Sequence, residues 1–141
     1  MKGTTMRPAL ALSLLMAALP LCARADAPPA PREIRVTAAA DSIDSQTGTS
    51  FRLTAVTDQR CPADVACYWE GVMRVEITAR SEAGTRVLIL CNLCDDGDRS
   101  ANLPQMVVRF DGLEPSTEDL ERKARLPVLQ DYTVRLTLTG P

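Results

Sequence analysis

The chain contains no histidine. Its absence excludes the Ser-His-Asp and Cys-His arrangements of nucleophilic catalysis and removes the commonest ligand of zinc, copper and iron. Basic charge is also scarce, with 16 Lys and Arg against 18 Asp and Glu over 141 residues. Lys2, Arg7 and Arg24 belong to an N-terminal targeting segment, so residues 26–141 hold 13 basic and 18 acidic groups, a net charge of −5. Such a surface has no cationic excess to neutralise phosphates, which argues against a nucleic-acid partner. Widely spaced cysteines around a tryptophan, the mark of immunoglobulin domains, are missing as well.

No apolar run reaches the roughly 20 residues that a membrane-crossing helix requires. The run Ala9 to Leu21 follows Lys2 and Arg7 and has the length of a signal-peptide core. Ala23-Arg24-Ala25 offers small residues at alternate positions, so cleavage is expected before Asp26, with residues 1–25 as signal peptide. An alternative is an envelope lipoprotein anchored at Cys22, although a lipid-attachment site takes a small residue where this chain has Leu21. The stretch DAPPAP, residues 26–31, cannot join a central sheet, and residues 26–32 read as a semi-rigid linker. One domain over residues 33–141 is then expected, periplasmic or secreted, with no transmembrane segment in its mature form.

What is present is alternation. Met73, Val75, Ile77 and Ala79 interleave with Arg74, Glu76, Thr78 and Arg80, the pattern of a strand with one buried face. Tyr132, Val134, Leu136 and Leu138 alternate with threonines and Arg135 in the same way. Fainter alternation runs through Ile34 to Ala38, Phe51 to Ala55, and Met106, Val108 and Phe110. Val87 to Cys91 is continuously apolar and reads as a strand covered on both faces, in the middle of a sheet. Glu82-Ala83-Gly84 should close a hairpin between Arg80 and Thr85.

Ser116 to Arg125 departs from the pattern, with a capping serine, acids early, bases late, and Glu118/Arg122 and Glu121/Arg125 at ion-pair spacing. It reads as a short exposed helix or helical loop ended by Pro127. The fold class expected is all-β: a small antiparallel β-sandwich or partly open barrel of about six to seven strands, with one short peripheral helix.

Cys61, Cys67, Cys91 and Cys94 would form two disulfides in an oxidising compartment. The local pairing, Cys61 with Cys67 and Cys91 with Cys94, is the expectation, and the two crossed pairings stay open. The segment Arg60-Cys61-Pro62-Ala63-Asp64-Val65-Ala66-Cys67-Tyr68-Trp69-Glu70-Gly71 resembles the R-C-P-x-D-V-x-C-x-W-x-G signature of small secreted bacterial proteins of unknown function. The match covers about a tenth of the chain. Glu70 stands where those proteins usually have alanine, and Cys91 and Cys94 are not a fixed part of their pattern.

The motif reads as a stapled inter-strand loop in which Pro62 restrains the chain, Asp64 accepts turn N–H groups and Gly71 permits a sharp turn into the next strand. Trp69 would then cover the bridge or cap the core. Alternatively Tyr68, Trp69 and Glu70 form an exposed recognition tip, since aromatics on a rigid staple make contact anchors.

Other groupings carry less. Cys91-Asn92-Leu93-Cys94 has redox-pair spacing, yet Asp95, Asp96 and Asp98 would raise the thiol pKa, which opposes that chemistry. The cysteine spacing suits zinc poorly, and the acidic run lacks the twelve-residue calcium pattern, so neither metal nor cofactor is expected. Arg74, Arg80, Arg109 and Arg135 sit on polar strand faces and would make an anion-binding face if aligned; otherwise they are a solvated surface. The sequence thus points to an exported module, non-enzymatic, that binds a protein, envelope component or small ligand or serves structurally. The alternative is a redox or metal-binding protein built on Cys91 and Cys94.

Overall fold

The structure, a computed structural model, describes residues 1, 3, 27–95 and 97–140. Cys22, nearly all of the expected signal peptide, and Asp96 lie outside the described residues. The alternating segments become strands within β1 (Arg32–Thr37), β3 (Ser50–Arg60), β4 (Gly71–Ser81), β7 (Met106–Glu114) and β8 (Thr133–Thr139), the continuous apolar run lies in β5 (Gly84–Cys91), and two short strands that no alternation marks, β2 (Ser42–Ile43) and β6 (Ser100–Leu103), join them. They form two antiparallel four-stranded sheets, ordered β1-β8-β7-β6 and β2-β3-β4-β5, which face each other as a sandwich. The inner faces meet in a single core of Phe51, Leu53, Val75, Ile77 and Leu90 against Val108, Phe110, Val134, Leu136 and Leu138. Each of these large side chains contributes about 1.5–3 kcal/mol by leaving water.

A β-bulge decides what faces that core at one end. The β3–β4 register slips between Leu53 and Ala55, where the Thr54 hydroxyl donates to the Glu76 carbonyl at 3.0 Å. One extra residue exchanges the two faces of everything beyond it. Phe51 and Leu53 point inward before the slip; Val56, Asp58 and Arg60 follow the inward partners Val75, Met73 and Gly71 after it. A second slip, between Phe110 and Gly112 in β7, brings Leu113 inward opposite Val134.

The Glu82-Ala83 hairpin forms as expected, with Ser81 paired to Gly84. Two readings are corrected. The run Val87–Cys91 is not in the middle of a sheet: β5 is an edge strand, with Leu88 and Leu90 buried while Val87 is 60% and Ile89 39% exposed. The helix is also shorter than read. The segment α1 spans Thr117–Glu121, capped by Ser116 accepting from the Asp119 N–H, and Ala124 at φ 52° breaks it well before Pro127. The i,i+4 pairs give way to others: Arg122 binds Asp119, Arg125 binds Asp131, and Glu121 turns to a neighbouring loop.

Along one side the sandwich is closed by charge. Arg32 of β1 grips Asp44 through two bonds, Nε to Oδ1 at 3.0 Å and the terminal nitrogen to Oδ2 at 2.8 Å, and Asp44 is only 3% exposed. At the same end of the chain Pro29 lies against Gly140, where a β-carbon would fall 2.6 Å from the proline ring. The linker thus begins its contact with the domain just ahead of β1.

Truncation separates the two kinds of apolar position. Leu136→Ala, fully buried, should lose about 2–5 kcal/mol in denaturant unfolding, whereas Val87→Ala on the open edge should stay within about 0.5 kcal/mol of the parent.

Candidate functional site

The inward turn of Asp58 and Arg60 builds an ionic lock at the end of the sandwich. Arg60 donates Nε to Asp58 Oδ1 and a terminal nitrogen to Oδ2, both at 2.8 Å. The same guanidinium crosses to the other sheet, donating to the Leu113 carbonyl at 3.1 Å and the Pro115 carbonyl at 2.9 Å. Burial alone would raise the Asp58 carboxyl, but the Arg60 side chain and backbone N–H and the Tyr132 hydroxyl outweigh it and hold the pKa below its ordinary value. The charged form therefore adds stability above the ordinary carboxylate range, lost as pH falls through the lowered value. Burial, then the charge and hydrogen bond of Asp58, push the Tyr132 phenol up to about 12.

From Arg60 the chain leaves directly into the stapled loop. Cys61 is bonded to Cys67, as the local pairing anticipates, and the Val65 N–H donates to the Pro62 carbonyl across the turn at 3.3 Å. The Ala63 N–H donates to Glu121 Oε1 at 2.9 Å, tying the loop to α1. Beside it runs the 122–128 loop, gathered by Asp131, which binds Lys123, Arg125 and the Val128 N–H. These contacts, Arg125 first, hold the Asp131 carboxyl well below the carboxylate range. Pro62 and Pro127 wall an open notch of about 180 Å³ between the two loops, with Leu120 and Tyr132 among its lining residues.

The loop presents its aromatics to solvent. Tyr68 is fully exposed, Trp69 is 72% exposed, and Glu70 stands beside them in the open. This corrects the reading of Trp69 as a cap on the core: the core cluster is made by residues of the two sheets with Leu120 and Tyr132, and Trp69 is not part of it. Val65, Leu126 and Val128 add exposed apolar surface on the two loops. Gly71 ends the excursion at φ 87°, with a β-carbon there placed 2.3 Å from the Gln59 carbonyl oxygen, so glycine is required by both conformation and space.

Cys91 and Cys94 form the second bridge, Cys91 buried and Cys94 half-buried. Between them Asn92 extends the β4–β5 ladder with its side chain: Oδ1 accepts the Met73 N–H at 2.7 Å and Nδ2 donates to the Gly71 carbonyl at 3.0 Å. Asp95 and Asp98 line an open cleft of about 510 Å³ next to the bridge. Among the described residues no group of three or more His, Cys, Asp and Glu side chains is placed to hold a metal ion.

The four arginines are not brought together. Arg74 and Arg80 lie on the outer side of β4 in one sheet, Arg109 and Arg135 on β7 and β8 in the other. Each has a carboxylate near it, Glu76, Asp41, Asp111 and Glu114 in turn. Opposite outer faces cannot form one anion site.

Sequence reasoning left out Asp58, Tyr132 and Asn92, and took Arg60 only as a motif letter. A phase slip in the β3 alternation at Thr54 was the available sign for Asp58 and Arg60. Nothing in the sequence pattern marks Asn92. No protein family, curated protein or solved structure matches the chain.

The lock has a direct optical reporter. In a Tyr68→Phe variant Tyr132 is the remaining tyrosine, and its tyrosinate absorbance should emerge only near pH 12. Ionisation near the ordinary phenol value of about 10 would show that Tyr132 is not held against Asp58.

Proposed function

We propose that the domain acts outside the cytoplasm as a non-enzymatic binding module that engages a macromolecular partner, a protein foremost, through Tyr68, Trp69 and Glu70. The observation that carries this reading is the exposure of both aromatics on a loop closed by the Cys61–Cys67 bridge and rooted in the Arg60 lock. Solvated aromatic side chains are costly to leave in water and large in contact area, and a preorganised loop loses little entropy on binding. The tip stands open to solvent, which suits a surface-to-surface contact; small ligands require an enclosing pocket. Export is supported by the Lys2/Arg7 and Ala9–Leu21 pattern together with two bridges, which persist in oxidising compartments. No long apolar helix is present among the described residues.

Trp69 is the sole tryptophan, so its fluorescence reports contact at the tip without labelling. Titration with fractionated exported proteins should shift the emission to the blue in a saturable way. Trp69→Ala should weaken the same partner about 30-fold, the ~2 kcal/mol of an interface hot spot, with no change in melting temperature. A partner held equally well by Trp69→Ala and Tyr68→Ala would refute the reading.

A further inference from the structure

The stretch that follows the tip is held from both sides, and one of its holders sits in a turn closed by a disulfide. We infer that Asn92 is a positioning residue for the Tyr68–Trp69–Glu70 tip, and that the Cys91–Cys94 bridge makes this positioning sensitive to dithiol reductants. The inference rests on the binding role proposed for the tip. Regular pairing of β4 with β5 ends at Arg74 and Cys91. Beyond it the Asn92 carboxamide takes over as an artificial strand, satisfying the Met73 N–H and the Gly71 carbonyl, while the Asn92 N–H donates to the Met73 carbonyl at 3.2 Å. On its other side the Gly71 backbone is pressed against Gln59 and Arg60. Gly71 is thus clamped two residues after Trp69, and the clamp fixes the direction in which the tip leaves the sheet.

Asn92 keeps its place because its neighbours do. Cys91 is anchored by its N–H to the Asp98 carbonyl at 3.1 Å and by the bond to Cys94, which closes a turn just long enough to hold Asn92 against β4. Cys94 is half-buried where Cys91 is buried, so it is the more open of the two to attack. Attack there by one thiolate of an external dithiol forms a mixed disulfide and releases the Cys91 thiolate, which takes up a proton. The second thiol of the reductant then loses its proton, displaces Cys94 as a thiolate and leaves the reductant as its own disulfide. The product is Cys91 and Cys94 as free thiols on a turn no longer closed, with Asn92 free to leave Gly71 and Met73.

Two independent variants test this: Asn92→Ala, which removes the carboxamide, and Cys91→Ala/Cys94→Ala, which removes the closure. In each, hydrogen exchange at the Met73 amide should accelerate about tenfold, the change expected from losing one hydrogen bond, and the Trp69 fluorescence anisotropy should fall. Exchange at Val75 and Ile77 and the melting temperature control for general loosening. Treating the parent with a dithiol should reproduce the double-cysteine variant in a Cys61→Ala/Cys67→Ala background as well. Unchanged Met73 exchange and unchanged anisotropy in both variants would overturn the inference. These measurements use the free protein, so an intact clamp with no partner at Trp69 would sink only the binding role.

Discussion

One guanidinium joins the stapled loop of this domain to both of its sheets. Arg60 ends β3, pairs with Asp58 on its own strand, and reaches across the sandwich to the Leu113 carbonyl of β7 and the Pro115 carbonyl just beyond that strand. A buried ion pair is not in itself a large source of stability, because desolvating both charges offsets most of the attraction. What it supplies is geometry. With its donors engaged in fixed directions, Arg60 sets the position from which the stapled loop departs, and Tyr132 completes the enclosure of Asp58. Removing either partner would leave a part-buried charge without its counter-ion at the wall of the notch.

The lock exists because β3 changes face midway. Had β3 run on through Thr54 in regular alternation, with no bulge, Asp58 and Arg60 would lie on the outer surface and Val56 would be wet. The bulge therefore converts a simple amphipathic strand into one that is apolar at one end and ionic at the other. This economy suits a small domain, in which the core alone supplies limited stability and staples are used to hold the loops. The bridge at Cys61–Cys67 holds the tip, and that at Cys91–Cys94 holds Asn92, which in turn holds the end of the tip.

Much of this architecture is legible in the alternation of residues. Met73 to Ala79 and Tyr132 to Leu138 carry period two because their sheets are wet on one face, and that alone implies two packed layers. Glu82-Ala83-Gly84 and Ser116 announce their turn and cap by chemistry that is local. The edge position of β5 is not local: Val87 and Ile89 are as apolar as residues of a covered strand, and only the strand order shows that their face is open. Trp69 misleads for a related reason, since an indole next to a disulfide suits a core as well as a tip, and the outcome depends on whether the sheets leave space for it. The separation of Arg74 and Arg80 from Arg109 and Arg135 is likewise decided by which sheet each strand joins.

The central claim is that Arg60 orders the end of the sandwich that carries the tip. Denaturant unfolding of Arg60→Met, compared with Asp58→Leu/Arg60→Met, tests it most directly. The single variant should lose about 1–3 kcal/mol, because Asp58 is left part-buried without its partner, and the double variant should regain much of that loss. An Arg60→Met protein within about 0.5 kcal/mol of the parent would contradict the account, since it would mean that Asp58 needs no cation and that the two sheets are joined at this end by something else.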